Sequence, residues 1–292
     1  MRMNFIRSPL RWAGGKARVA KLIAAALPKH HTYVEPFGGG ASVLLAKAPS
    51  EIEVYNDLDG ELVNFFRVLK NDPEGFLKTF EWSLVARSEY DRLASLDPAD
   101  LSPLERAHRF YYLVMAGWGA ESGRFRFQVS KRDRGGGNRL IGALATLEER
   151  IRPVHVRLQR VIIENRPWQK ILKQYDDPNT VFYLDPPYPG HQVSYGRNMA
   201  GLESHRELWL TLGSLRGRWL LTTYDDPELR SEMRGALGDV HFHPLKMQWG
   251  MPSQSSGAGQ ELLVADFEIP PEVLHHHSAS APTPPPLFED MD

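Results

Sequence analysis

Thr32-Tyr33-Val34-Glu35-Pro36-Phe37-Gly38-Gly39-Gly40-Ala41-Ser42 begins with four residues suited to a strand, passes through three consecutive glycines and enters a helical run from Ser42 to Lys47. Glu51 to Tyr55 reads as the next strand, with Asn56 and Asp57 at its end. Strand, glycine loop, helix, strand and acid form the opening of a doubly wound α/β nucleotide-binding sheet. The glycines let a ligand approach the backbone closely. Asp57 stands 19 positions beyond Gly38, where a carboxylate can bind two ribose hydroxyls or, more simply, cap the following helix.

Two familiar phosphate-binding patterns fail on inspection. A dinucleotide dehydrogenase carries a third glycine three positions after Gly40, where Val43 stands, so S-adenosylmethionine, which has no pyrophosphate, fits the loop better than NAD. Gly14-Gly15-Lys16 resembles part of a P-loop, but Ala17 occupies the Ser or Thr position and Leu10 the position of the first glycine. What remains there is Trp12, able to cover an apolar ligand surface, and Lys16, able to approach a carboxylate. Either could also be surface packing. From Lys16 to Leu27 the apolar residues Val19, Leu22, Ile23, Ala26 and Leu27 share one helical face, and the helix should end at Pro28.

Beyond Asp57 the pattern changes. Leu58, Leu62, Phe65, Phe66 and Leu69 share a helical face, as do Ala107, Phe110, Tyr111 and Val114, and strand signals are few apart from Arg126-Phe127-Gln128-Val129. This stretch is too long for a single crossover, so residues 58–158 are expected to be an inserted helical domain. Alternation resumes with a strand at Val161-Ile162-Ile163-Glu164, a helix from Glu203 to Leu215 and a strand from Trp219 to Thr223. Strands around Val240 to Phe242 and Glu261 to Glu268 should form a closing antiparallel hairpin. Residues 1–57 and 159–269 then make the main domain. Residues 270–292, rich in His, Ser and Pro, should be a disordered tail.

The chain of 292 residues has 24% charged residues, a net charge of -1 and no cysteine, which excludes disulfides, thiolate metal sites and a cysteine nucleophile. No apolar run is long enough to span a bilayer, and a cytoplasmic location is expected. No metal is expected either. The net charge conceals a local excess: from Glu121 to Arg139 six basic residues (Arg124, Arg126, Lys131, Arg132, Arg134, Arg139) face two acidic ones. Phe125 and Phe127 are interleaved and Gly135-Gly136-Gly137 follow, as in a loop that lies along phosphates. A plain solvated loop has the same composition.

The apolar run Thr180-Val181-Phe182-Tyr183-Leu184 ends in Asp185-Pro186-Pro187-Tyr188. A buried strand closed by a carboxylate, two prolines and an aromatic ring suits the holding of the exocyclic amine of a planar base during methyl transfer. Asp185 can accept a hydrogen bond from the amine. The prolines offer no amide donor and restrict the turn, so the Pro186 carbonyl can serve as a second acceptor. Tyr188 can stack on the base.

Leu10-Arg11-Trp12-Ala13-Gly14-Gly15-Lys16, Val34 to Ser42, Tyr55-Asn56-Asp57 and Asp185-Pro186-Pro187-Tyr188, in that order, resemble the Dam-type adenine-specific DNA methyltransferases. The resemblance runs from about Leu10 to Phe267. It implies a Rossmann-like S-adenosylmethionine-dependent methyltransferase sheet with an inserted helical target-recognition domain, acting on double-stranded DNA. It also implies cofactor binding by Trp12, Lys16, Asp57 and Asp185, beside Phe37, Gly38 and Gly40 of the glycine loop. Catalysis would fall to Asp185, Pro186, Pro187 and Tyr188 on a flipped-out adenine, and DNA contacts to Arg124, Arg126, Lys131, Arg132 and Arg134, with Tyr195 closing over the base. Gly117-Trp118-Gly119-Ala120 and Arg124-Phe125-Arg126-Phe127 do not match the Dam pattern closely, which leaves the target sequence open. An amino-methyltransferase for cytosine, RNA or a protein glutamine, and a catalytically idle DNA-binding module, are the other readings. A cognate restriction nuclease is an open partner.

Overall fold

A computed structural model describes residues 5–12, 14–118, 126–127, 138–189, 199, 201–245 and 261–278. The first part of the chain forms α1 (Ala20–Ala26), β1 (Thr32–Glu35), α2 (Ser42–Ala46) and β2 (Ile52–Asn56). Helices α3 (Gly60–Asn71), α4 (Pro73–Lys78), α5 (Arg87–Ser95) and α6 (Pro103–Ala116) follow. The short strands β3 (Gly117–Trp118) and β4 (Arg126–Phe127) pair with each other, and α7 (Arg139–Ala145) and α8 (Leu147–Leu158) lead back to the sheet. The second part contains β5 (Val161–Glu164), α9 (Trp168–Tyr175), β6 (Thr180–Leu184), α10 (Leu202–Leu212), β7 (Arg218–Tyr224) and α11 (Pro227–Leu237). It closes with β8 (His241–Leu245), β9 (Glu261–Ala265) and α12 (Pro271–Ser278).

Seven strands form one sheet in the order β5-β2-β1-β6-β7-β9-β8. The pairings from β5 to β7 are parallel, and β9 alone runs against its neighbours β7 and β8. Every residue of β1 and β6 is buried, as expected of parallel strands covered on both faces. Side chains alternate between the two layers. Val34, Val54, Phe182, Leu184, Leu221 and Val264 pack with Ile171, Leu172, Leu208, Trp209, Leu229 and Met233 of α9, α10 and α11. Tyr33, Tyr55, Tyr183, Leu220, Leu263 and Ala265 face a second layer containing α1, α2, α3, α6 and α8.

The helices between β2 and β5 share this second core. Phe66 of α3 meets Tyr55 of β2 at a ring distance of 4.9 Å, and Phe65 beside it touches Phe76, Phe110 and Tyr111. One continuous aromatic cluster therefore joins the sheet to the 58–158 region. Good capping sets its helices: Ser102 and Glu105 form a capping box at the start of α6, ahead of Pro103 at a position where proline needs no amide partner.

Two stretches differ from expectation. Helix α1 begins at Ala20 rather than Lys16, because Gly14 takes a left-handed conformation (φ 67°) and the Gly15 and Val19 amides donate to Trp12 and Lys16 carbonyls in successive turns. The expected tail from Pro270 is instead helical over Pro271–Ser278. Val273 and Leu274 of α12 pack on the core beside α1, an apolar pair that the surrounding Pro, His and Ser composition masked. Residues 279–292 lie outside the described residues.

Candidate active site

Parallel strands deliver their C-terminal ends to one edge of the sheet, where open α/β folds bind ligands. Glu35, Asn56 with Asp57, and Asp185 arrive there from β1, β2 and β6. Because β9 runs the other way, its first residue, Glu261, reaches the same edge, opposite Tyr224 of β7.

At the β1–β2 end the glycine loop is tied down by backbone and acid. The Gly38 amide donates to the Asn56 carbonyl at 2.7 Å, and a Cβ on Gly38 would lie 2.3 Å from the Tyr55 ring, so no larger residue fits. Gly39 is left-handed (φ 46°), and its amide donates to Asp57 Oδ2 at 2.8 Å. The Asp59 amide donates to Asp57 Oδ1 at 2.9 Å, while Asp59 itself caps α3 through Glu61. The capping role considered for Asp57 thus belongs to its neighbour. Burial pushes the Asp57 carboxyl up to about 6, against the opposing pull of the Asp59 and Gly39 amides. Trp12 lies over the loop: a Cβ on Gly40 would come within 3.1 Å of Trp12 Cβ, and one on Gly39 within 3.2 Å of the indole. Phe37 packs against Trp168.

Behind this loop Glu35 is fully buried and accepts from the Tyr33 hydroxyl at 2.6 Å and the Leu44 amide at 2.7 Å. Burial pushes its carboxyl up to about 8, despite those two donors.

At the β6–β7 end the arrangement is ionic. Lys16, only 7% exposed, places Nζ 2.8 Å from Asp185 Oδ1 and 3.2 Å from Glu261 Oε1, and donates to the Gly14 carbonyl at 2.8 Å. Burial disfavours the ammonium, but Asp185 and Glu261 outweigh that and raise its pKa. Thr222 of β7 donates to Asp185 Oδ1 at 2.7 Å, and the Tyr188 hydroxyl lies 3.5 Å from the same oxygen. Among the described residues every hydrogen bond to the Asp185 carboxylate falls on Oδ1, leaving Oδ2 as a ready acceptor. The Tyr188 hydroxyl donates to Glu261, and the Lys16 ammonium stands 5.0 Å from the Tyr188 ring centroid.

His205 of α10 fixes the next turn. It is 2% exposed, and its ring nitrogens lie 2.8 Å from the Pro187 carbonyl and 2.9 Å from the Gly201 carbonyl. The imidazole lies between these two carbonyls, and in its neutral form its single N–H donates to one of them. The Pro187 carbonyl faces His205 Nε2, whereas among the described residues none donates to the Pro186 carbonyl.

The expected cofactor-side residues Trp12, Phe37, Gly38, Gly40 and Asp57 converge on one edge, and Lys16, Asp185 and Tyr188 form a second cluster beside them. Arg124, Lys131, Arg132, Arg134 and Tyr195 lie outside the described residues, and Arg126 is described only as backbone in β4, opposite Trp118. The base of that basic arm is fastened, since Asn138 caps α7 and donates from Nδ2 to the Ala116 carbonyl at 2.9 Å. Sequence reasoning missed Thr222, His205 and Glu261. Among the described residues no cluster suited to a metal ion is present, and no helix is long and apolar enough to cross a membrane.

Comparison with known proteins adds the chemistry. The chain is 29% identical over 205 residues to the type II methyltransferase M.CviBI of Paramecium bursaria Chlorella virus NC1A, covering 68% of this chain and 75% of that protein. It is 28% identical over 220 residues to the DNA adenine methylase of Haemophilus influenzae, covering 68% and 71%. Residues 12–225, which hold the glycine loop, Asp57 and Asp185-Pro186-Pro187-Tyr188, match the D12 class N6 adenine-specific DNA methyltransferase family, and the chain belongs to that family.

Proposed function

We propose that this adenine-specific DNA methyltransferase takes its methyl group from S-adenosylmethionine, held at the β1–β2 end of the sheet edge, and transfers it to an adenine flipped out of duplex DNA into the β6–β7 end. The residues present fit such a cofactor. Gly39 and Gly40 let Trp12 close onto the loop, where a Cβ would meet it at 3.2 and 3.1 Å, and Asp57 is an acceptor for ribose hydroxyls. Phe37 and Gly38 complete that side, and Lys16 and Asp185 border it. When bound, S-adenosylmethionine supplies an electrophilic methyl group on a positively charged sulfur.

An adenine inside a duplex cannot reach this edge, so extrusion is required, at a cost of roughly a few kcal/mol. Asp185 Oδ2 and the Pro186 carbonyl then accept from the two amine hydrogens, and Pro187 keeps the turn rigid. Drawing on those hydrogens releases the nitrogen lone pair from the ring and directs it outward. Once nitrogen has gained its fourth bond it must lose a proton, and Asp185 is the acceptor at hand. Tyr188 carries the base by stacking, and in-line positioning supplies much of the remaining acceleration. Arg124, Arg126, Lys131, Arg132 and Arg134 hold phosphates or base edges, and Tyr195 closes over the base. The enzyme would act in the cytoplasm, alone or alongside a restriction nuclease of the same specificity.

The observation that carries this reading is the one-sided bonding of Asp185: among the described residues Lys16 and Thr222 engage Oδ1 and none engages Oδ2, which the amine can take. Asp185→Ala tests it. Transfer should be abolished while S-adenosylmethionine and DNA still bind, and near-normal turnover would refute the assignment.

A further inference from the structure

Glu261 is a buried carboxylate with a task that the reading above does not use. It lies 76 positions beyond Asp185 and outside the residues matched to the family, yet the reversed direction of β9 sets it beside the Asp-Pro-Pro-Tyr turn. It is 6% exposed and holds two donors, the Tyr188 hydroxyl and the Lys16 ammonium. A carboxylate in such a place costs desolvation unless its partners are well placed.

We propose that Glu261 is a positioning residue for methyl transfer, which fixes the Tyr188 ring through its hydroxyl and shares Lys16 with Asp185. The inference rests on the reading of Asp185 and Tyr188 as the residues that handle the base. Tyr188 can turn about its side-chain torsions, and a stacking platform is useful only in one orientation. Glu261 anchors the far end of that ring from β9, two strands away from β6. Lys16 pairs directly with Asp185 at 2.8 Å and also with Glu261 at 3.2 Å, so its charge is divided between the two acids rather than spent on Asp185 alone. The aromatic ring alone therefore does not account for Tyr188: its hydroxyl has a role through Glu261.

The test is single-turnover methylation of plasmid DNA with radiolabelled S-adenosylmethionine, run on Tyr188→Phe, Glu261→Ala, the double variant, Glu261→Gln and Asp185→Asn. Tyr188→Phe keeps the ring and removes only the donor. It and Glu261→Ala should each slow transfer about tenfold or more, the scale of a hydrogen bond to a charged group. Since both break one contact, the double variant should be no more than about threefold slower than the slower single variant. Glu261→Gln, which retains an acceptor for the hydroxyl, should recover part of the rate. Binding of S-adenosylmethionine and DNA should stay within about threefold of wild type, so that the loss appears in the transfer step rather than in affinity. Tyr188→Phe at the wild-type rate overturns the proposal even if Glu261→Ala does not fold. Fully multiplicative losses, or a rate loss matched by lost affinity, also overturn it. Asp185→Asn separates the two levels: if it is active, the underlying assignment fails, whereas an inactive Asp185→Asn beside an unaffected Tyr188→Phe removes only the role of Glu261.

Discussion

Two acids at the ends of β2 and β6, on either side of β1, are held in opposite ways. Asp57, after β2, is gripped by backbone amides of Gly39 and Asp59, with burial raising its pKa to about 6. Asp185, after β6, is gripped by an ammonium and a hydroxyl, both on Oδ1 among the described residues. The difference matches the two proposed tasks. An acceptor for neutral ribose hydroxyls can be built from loop amides. An acceptor that must remain anionic beside an incoming base is given a cation, and a second acid, Glu261, shares that cation with it.

Removing the cation should have the largest effect. Lys16→Met leaves Asp185 and Glu261 facing each other without compensation, and breaking a buried pair in this way costs about 3 to 5 kcal/mol. Chemical denaturation should register that loss, together with strongly reduced transfer. A change below 1 kcal/mol would mean that the cluster is more hydrated than its burial indicates.

Glu35, between the two acids in the sheet, sharpens the contrast because it has hydrogen-bond donors but no ion-pair partner among the described residues. Its folded carboxyl keeps its proton to about 8, whereas an ordinary carboxyl of its type ionises near 4.5. The folded chain thus binds more protons than the unfolded one between those values. Stability from this group is complete below 4.5 and is lost as pH rises through 8, by an amount on the order of a few kcal/mol. Glu35→Gln cannot ionise, so its melting temperature should fall less than that of wild type between pH 5 and 9. Parallel curves would place the proton elsewhere.

The amide-held acid should respond at lower pH. Asp57→Asn is expected to weaken S-adenosylmethionine binding by about 1.5 to 3 kcal/mol without changing DNA affinity. In wild type, cofactor affinity should decline as pH falls through about 6, where Asp57 takes up its proton, and in Asp57→Asn this dependence should vanish. Calorimetry between pH 5 and 8 decides the point, and unchanged affinity would leave Asp57 with a purely structural role in holding Gly39.

The basic arm gives the smallest single effect. Replacing Lys131 or Arg132 should weaken binding to all duplexes alike and flatten the log-log salt dependence by about one unit. Arg126→Ala relaxing sequence preference at one position, at a cost of about 1 to 3 kcal/mol, would identify it as a base reader. If neither slope nor preference moves, the arm does not touch DNA.

The contrast also explains what could be read from the sequence. The glycine loop, Asp57 and Asp185-Pro186-Pro187-Tyr188 are local patterns in which chemistry and strand end are adjacent in the chain. Even there, that Asp59 and not Asp57 caps the following helix became visible only in three dimensions. Thr222 and Glu261 reach the site only through strand order, from β7 and the reversed β9, and nothing around either residue signals it. His205 resembled any polar residue of an amphipathic helix until its two carbonyl partners were visible. The helix over Pro271–Ser278 was hidden because composition averages over a window in which only Val273 and Leu274 find a core.

The most direct measurement is enzymatic digestion of treated DNA to nucleosides followed by mass spectrometry, comparing wild type with Asp185→Asn. The predicted result is N6-methyldeoxyadenosine from wild type and none above background from the variant, although the variant still binds S-adenosylmethionine and DNA. Methylated deoxycytidine from wild type, or equal N6-methyldeoxyadenosine from both, would contradict the claim that the half-engaged carboxylate of Asp185 holds the adenine amine.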